Sequence, residues 1–173
     1  MRKFLTVAAL AASTLLAAPA FAQTATVAGP FSGPRVGVNV GTGGDDFIDF
    51  DGATIGIDAG YDFDLGGAVV GFGAEYQTDL GDDFLDVNET ALLARVGAKV
   101  GTKALVYASG GYTHISTGSS PFEGLGADGY RIGAGAEVLV GTGGTSLKIE
   151  QRYRDYGNGA DGFQTVAGVN FRF

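Results

Sequence analysis

The sequence predicts an all-β fold: a transmembrane, antiparallel, up-and-down β-barrel of 8 strands. Three observations carry that prediction. Apolar residues recur with a period of two in eight segments, and no window after Ala22 holds a sustained helical stripe. The connectors between those segments alternate strictly between short and long. Ionised residues gather on one face of the strands and apolar residues on the other.

The start of the chain is set apart first. Arg2 and Lys3 precede an apolar run from Phe4 to Ala18, and Ala20, Phe21 and Ala22 form an A-x-A cleavage site. This pattern predicts a signal peptide over 1–22, too short and wrongly flanked for a membrane helix. Residues 23–33 read as a flexible leader, and 34–173 as the barrel. Cleavage removes two of the 11 basic residues and none of the 19 acids. Such acidity excludes nucleic acid as a partner. There is no cysteine, so disulfides, Cys-zinc sites and thiol chemistry are excluded. With 31 glycines, 4 prolines and 45% hydrophobic residues, the composition fits a Gly-rich β structure rather than disorder.

The strands follow in order. The first is Pro34–Gly41, with Val36, Val38 and Val40 on one face. Ala53–Phe63 and Ala68–Thr78 come next, carrying Ile55, Ile57, Tyr61 and Phe63, then Val70, Phe72 and Tyr76. Glu89–Val100 presents Leu92, Val96 and Val100; Ala104–His114 presents Val106, Ala108 and Tyr112. The last three are Tyr130–Val140, Ser146–Tyr156 and Phe163–Phe173, with Ile132 and Val138, Leu147 and Ile149, and Val169 and Phe171. Each is about ten residues, the length a tilted strand needs to cross a bilayer. "DLGG", "GTK" and "TGGT" are the short connectors; 42–52, 79–88, 115–129 and 157–162 are the long ones.

The opposite face of the same strands carries Arg35, Asp58, Asp62, Glu75, Glu89, Arg95, Lys99, Arg131, Glu137, Lys148, Glu150, Arg152, Arg154 and Arg172, with glycines between them. The apolar face has Gln151 as its one clear polar exception at mid-strand. Lipid explains so clean a face, because a Lys or Arg at the bilayer centre costs about 2–4 kcal/mol. Unpaired backbone groups are not tolerated in hydrocarbon, so the sheet must close. The charged face is also the small face, which suits the crowded inside of an eight-stranded barrel. Bulky aromatics near strand ends suit two interfacial girdles. We therefore expect an ion-paired lumen built from Arg35, Asp58, Glu75, Arg95, Lys99, Arg131, Glu137, Lys148, Glu150 and Arg152, with no large pore.

The A-x-A signal, the strands "ALVYASGGYTH" and "LKIEQRYRDYG" and the ending "VAGVNFRF" together resemble the small eight-stranded outer-membrane β-barrel family of the OmpA/OmpX-like and opacity-protein type. The resemblance covers the whole mature chain. It implies residence in the outer membrane of a Gram-negative bacterium after signal cleavage, with lipid and lipopolysaccharide as surroundings. It also implies that Val169, Phe171 and Phe173 act as the signal read by the barrel-assembly machinery. An envelope-structural or surface-interaction role follows, with a narrow porin-like channel as the alternative. Both termini would face the periplasm and the long loops the outside.

Those loops, with Asp155 at the end of the seventh strand, hold twelve acids and no Lys or Arg between their strand ends. A solvated acidic rim is the expectation. Asp45, Asp46, Asp49 and Asp51 are weak candidates for divalent cations, but "DFIDFDG" does not match an EF-hand loop. No cofactor is expected. The two "VGTGG" runs at 40–44 and 140–144 read as turns, since no helix opens after either to cradle a phosphate. His114 and Ser116 lie two apart on one strand, which parity points outward. That pair is similar to the active site of outer-membrane lipid A deacylases, with Glu123 as a conceivable acid; a lone interfacial histidine is the simpler account.

Overall fold

The computed structural model describes residues 29–45, 52–80, 87–117, 126–157 and 161–173. They form β1 (Gly33–Asp45), β2 (Gly52–Asp64), β3 (Ala68–Asp79), β4 (Val87–Val100), β5 (Ala104–Thr117), β6 (Gly126–Val140), β7 (Thr145–Asp155) and β8 (Asp161–Arg172). Each strand pairs antiparallel with the next, and β1 pairs with β8 to close the barrel. The eight-stranded up-and-down barrel expected from the alternation is therefore the fold.

Directly paired residues, followed once round from Arg35, return to β1 at Asp45, ten positions further along. A stagger of that size forces the strands to tilt, by about 35–45° in barrels generally. Closure leaves no sheet edge, so every strand's backbone has a partner on both sides. At the short-connector end, Gly101 (φ 67°) and Gly141 (φ 70°) make the turns in a conformation that side chains rarely adopt.

Exposure alternates along the strands and separates the two faces. Val38 is 49% exposed and Phe72 58%, whereas Arg95 is 7% and Glu137 0% exposed. The oily face points out and the charged face in, inverting the arrangement of a soluble barrel. Phe163, Tyr112 and Tyr130 stand exposed towards the long-connector end. At the other end Tyr61, Phe63 and Phe72 form a ring cluster with centroids 4.9–6.5 Å apart.

Three features differ from the sequence expectation. Strands extend further at the long-connector end, taking in 42–45, 115–117 and 126–129. Beyond the lipid band neither face must be apolar, so the alternation that marks a strand fades there. For the same reason "VGTGG" at 40–44 continues β1 instead of turning, while Gly141–Gly144 do form a turn. Finally Phe31, within the stretch read as a leader, is 0% exposed and packs with Val69, Leu105, Tyr107 and Leu139 at the short-connector end. Its ring lies under the Arg172 guanidinium, 5.2 Å from centroid to carbon. Residues 1–28, and with them the signal-peptide reading, lie outside the described residues.

Candidate functional site

The barrel interior is filled by charged side chains in two layers. In the layer nearer the termini, Asp62 accepts from Arg95 Nη2 at 2.5 Å, Arg35 Nε lies 3.2 Å from it, and Arg172 Nη2 3.1 Å. Arg95 Nη1 also reaches Glu137 Oε2 at 2.9 Å, and Arg172 and Ser146 bond the same carboxylate. Asp58 is held by Arg35 Nη1 at 2.5 Å and Lys148 Nζ at 2.6 Å.

The second layer lies towards the long loops. Arg152 grips Glu75 in a two-pronged contact, at 2.6 and 2.8 Å, and reaches Glu150 at 3.0 Å through Nε. Arg131 Nη1 bridges Glu75 (3.2 Å) and Glu89 (2.8 Å), and Arg154 meets Glu89 at 3.0 Å. Tyr107 and Ser109 hydroxyls donate to Glu150, and the Tyr156 hydroxyl to Glu89. Burying these charges costs several kcal/mol each, and only multiple partners offset that cost. A cavity of about 30 Å³ remains, lined by Arg35, Asp58, Glu75, Arg95, Lys148 and Glu150 among others; that is room for a water or two.

Glycine makes the space. A Cβ on Gly71 would lie 2.0 Å from Asp62 Oδ1, and one on Gly37 would lie 2.2 Å from Asn170 Oδ1 and 2.5 Å from Asp58 Oδ2. The small residues opposite the acids are thus a condition for the ion pairs, not filler between them.

All ten residues named from sequence for the lumen point inward. Nine of them sit in the two layers. Lys99 instead pairs with Asp64, at 2.7 Å, by the β2–β3 turn. The network also recruits Asp62, Glu89, Arg154 and Arg172, which face parity had placed inward. The sequence pattern does not single out Asp64 or Tyr107: Asp64 sits in a turn motif, and the alternation of β5 marks only its apolar face. The C-terminal residues close the barrel. Val169 pairs with Val38 and Phe171 with Val36, while the Phe173 backbone N–H donates to Pro34 O at 3.1 Å.

A second cluster sits outside, above the exposed tyrosines. His114 is paired directly across from Asp128, with Nδ1 2.6 Å from Asp128 Oδ1. The Tyr112 hydroxyl donates to the same oxygen at 2.5 Å. These contacts, the tyrosine's first and the histidine's second, hold the Asp128 carboxyl below its usual range. The acid beside His114 is therefore Asp128; Glu123 lies outside the described residues. Ser116, two positions on, is 3% exposed despite its outward parity. Opposite it stands Gly126, where a Cβ would lie 2.9 Å from His114 Nε2. Asp46, Asp49 and Asp51 lie outside the described residues, and Asp45 ends β1. Among the described residues no group of three or more His, Asp or Glu is placed to hold a metal ion.

The tyrosine–acid contact recurs on the next strands. Tyr130 donates to Asp155 at 2.9 Å and Tyr153 to Asp161 at 3.0 Å. Each tyrosine thus reaches an acid on the following strand.

Comparison with known proteins agrees with this architecture. The family described as "Outer membrane protein beta-barrel domain" matches residues 8–173. No curated protein sequence matches the chain. Among solved structures, the N-terminal β-barrel domain of Pseudomonas aeruginosa OprF is similar at 21% identity and TM-score 0.59, covering 82% of this chain and 99% of that one. Yersinia pestis Ail, the attachment invasion locus protein in complex with the heparin analogue sucrose octasulfate, is similar at 15% and 0.60, with coverage of 82% and 97%. The outer membrane enzyme PagL is similar at 16% and 0.53, with coverage of 80% and 99%.

Proposed function

We propose that this chain, which belongs to the outer membrane protein beta-barrel domain family, is a closed, non-enzymatic barrel of the Gram-negative outer membrane with a structural or surface-interaction role. Its signal peptide is removed after Ala22, and Val169, Phe171 and Phe173 present the C-terminal strand to the barrel-assembly machinery. The observation that carries this reading is the lumen. Two ion-paired layers, Arg35–Asp58–Asp62–Arg95–Glu137 and Glu75–Arg131–Arg152–Glu89, occupy the cross-section that a channel would need. Eight strands leave an interior that side chains can fill.

The extracellular end carries acids without Lys or Arg in the long connectors. Such a surface repels polyanions of the kind bound by Ail, so a surface partner would be neutral or basic. Single-channel recording of the refolded protein in planar bilayers tests the closed lumen. The expected trace has no steps above baseline; regular steps would establish the narrow porin-like alternative.

One further reading has a specific observation behind it. With Asp128 on Nδ1, His114 turns its Nε2 towards Gly126, which is paired with Ser116 two residues along the same strand as His114. A lipid ester hydrolase would then use Ser116 Oγ to attack the acyl carbon, its proton passing to His114 Nε2. The acyl–oxygen bond breaks, that proton goes to the leaving alkoxide, and water releases the acyl group from serine. Lipid A mass spectra from cells carrying wild type or His114→Ala decide this. A changed acyl pattern would make the protein an enzyme, and identical spectra leave the non-enzymatic reading in place.

A further inference from the structure

Among the described residues, the lipid-facing surface is interrupted at mid-strand by a short polar row centred on Gln151. Gln151 lies on β7 between Ile149 and Tyr153, all three outward on the strand, with Gln151 and Ile149 exposed. Its direct partners are Ala134 on β6 and Thr165 on β8, and Thr165 is paired in turn with Thr42 on β1. The Thr165 hydroxyl donates to Gln151 Oε1 at 2.6 Å. Among the described residues, Gln151 Nε2 donates to no acceptor.

In water that arrangement would cost nothing. In hydrocarbon no solvent satisfies the amide, and acyl chains offer no acceptor. A polar side chain on a lipid-exposed surface is relieved when a second transmembrane surface supplies the missing partner. An amide is self-complementary: its N–H pair fits the remaining lone pair of an identical Oε1 across a two-fold axis. Symmetric homodimers use this kind of isologous contact. Ala134 and Ala167 flank the amide with short side chains, so two barrels can approach closely there.

We propose that the β6–β7–β8 outer face is a homodimer interface in the membrane, with Gln151 of one protomer bonded to Gln151 of its partner. The occupant is a second copy because the exposed chemistry is an amide with one engaged acceptor and free donors, which another copy matches group for group. The proposal is independent of the closed-lumen reading, since it concerns only the outer surface.

The chain has no cysteine, so single substitutions report contacts cleanly. In liposomes, Ala134→Cys should form disulfide-linked dimers on oxidation, and Ala74→Cys, outward on β3 across the barrel, should not. In detergent, sedimentation equilibrium should show a dimer whose dissociation constant rises about tenfold in Gln151→Leu. That variant puts an apolar group towards lipid, and its gel shift on heating checks that it folds. A wild type that stays monomeric at all lipid-to-protein ratios would overturn the proposal. So would equal cross-linking at positions 74 and 134, or Gln151→Leu associating as wild type does.

Discussion

Carboxylates occur in two places in this barrel, and their company differs. Inside, Asp58, Asp62, Asp64, Glu75, Glu89, Glu137 and Glu150 each lie within ion-pair distance of Lys or Arg. Outside, Asp128, Asp155 and Asp161 accept hydrogen bonds from tyrosine hydroxyls on the preceding strand. The difference follows from the medium. Charges buried among side chains in a lumen of low dielectric demand compensation. The outer acids sit above the apolar band, where water solvates them and a phenol suffices. The same residue type is thus a structural necessity in one region and an accessory to an aromatic girdle in the other.

The largest effect should come from breaking the inner set. Glu137→Ala leaves Arg95 and Arg172 short of a carboxylate, and should lower stability in lipid by about 3–5 kcal/mol. Urea unfolding in vesicles measures this; a wild-type midpoint would show that the lumen charges do not depend on one another. Next comes the space that holds them. Gly71→Ala places a methyl group 2.0 Å from Asp62 Oδ1 and should cost about 1–3 kcal/mol. Gly67→Ala, in the β2–β3 turn with nothing within 4 Å, should leave the same unfolding curve unchanged. A third comparison concerns the rim, where Tyr130→Phe removes the bond to half-buried Asp155. Its unfolding midpoint should fall within the scatter of wild-type replicates.

The smallest effect sharpens the contrast through pH. Asp128 is held ionised by Tyr112 and His114, so its folded pKa lies below the usual 3.8. Any stability it lends is present above 3.8 and lost as pH falls through the lower, folded value. Carboxyl carbon NMR should find the Asp128 midpoint depressed, and Tyr112→Phe should move it back upward. A midpoint unmoved by that substitution would show that the phenol does not bind the carboxylate.

Much of this was legible in the chain. Period two survives wherever one face meets lipid and the other the lumen, so strands such as Ala68–Asp79 and Val87–Val100 could be drawn within two residues at each end. Face parity also separated Arg95 from Val96 and Glu137 from Val138. What could not be read depends on register or on space beyond the local pattern. The Asp128–His114 contact needs the β5–β6 register, which an intervening connector of unknown conformation conceals. The burial of Phe31 needs a mouth ringed by Val69, Leu105 and Leu139, residues from three strands that no local window joins. Gln151 was visible as an exception, but its free amide needed Thr165 to be found beside it.

The central claim is that aliphatic residues of the same chemistry are sorted by strand parity, some to lipid and some to the lumen. Paramagnetic broadening by a spin-labelled fatty acid in micelles tests it directly. Methyl signals of Val38, Val106 and Ile149 should broaden strongly, while those of Val69, Leu105 and Val166, all fully buried, should stay sharp. Equal broadening of both sets, or broadening of the second alone, would contradict the account.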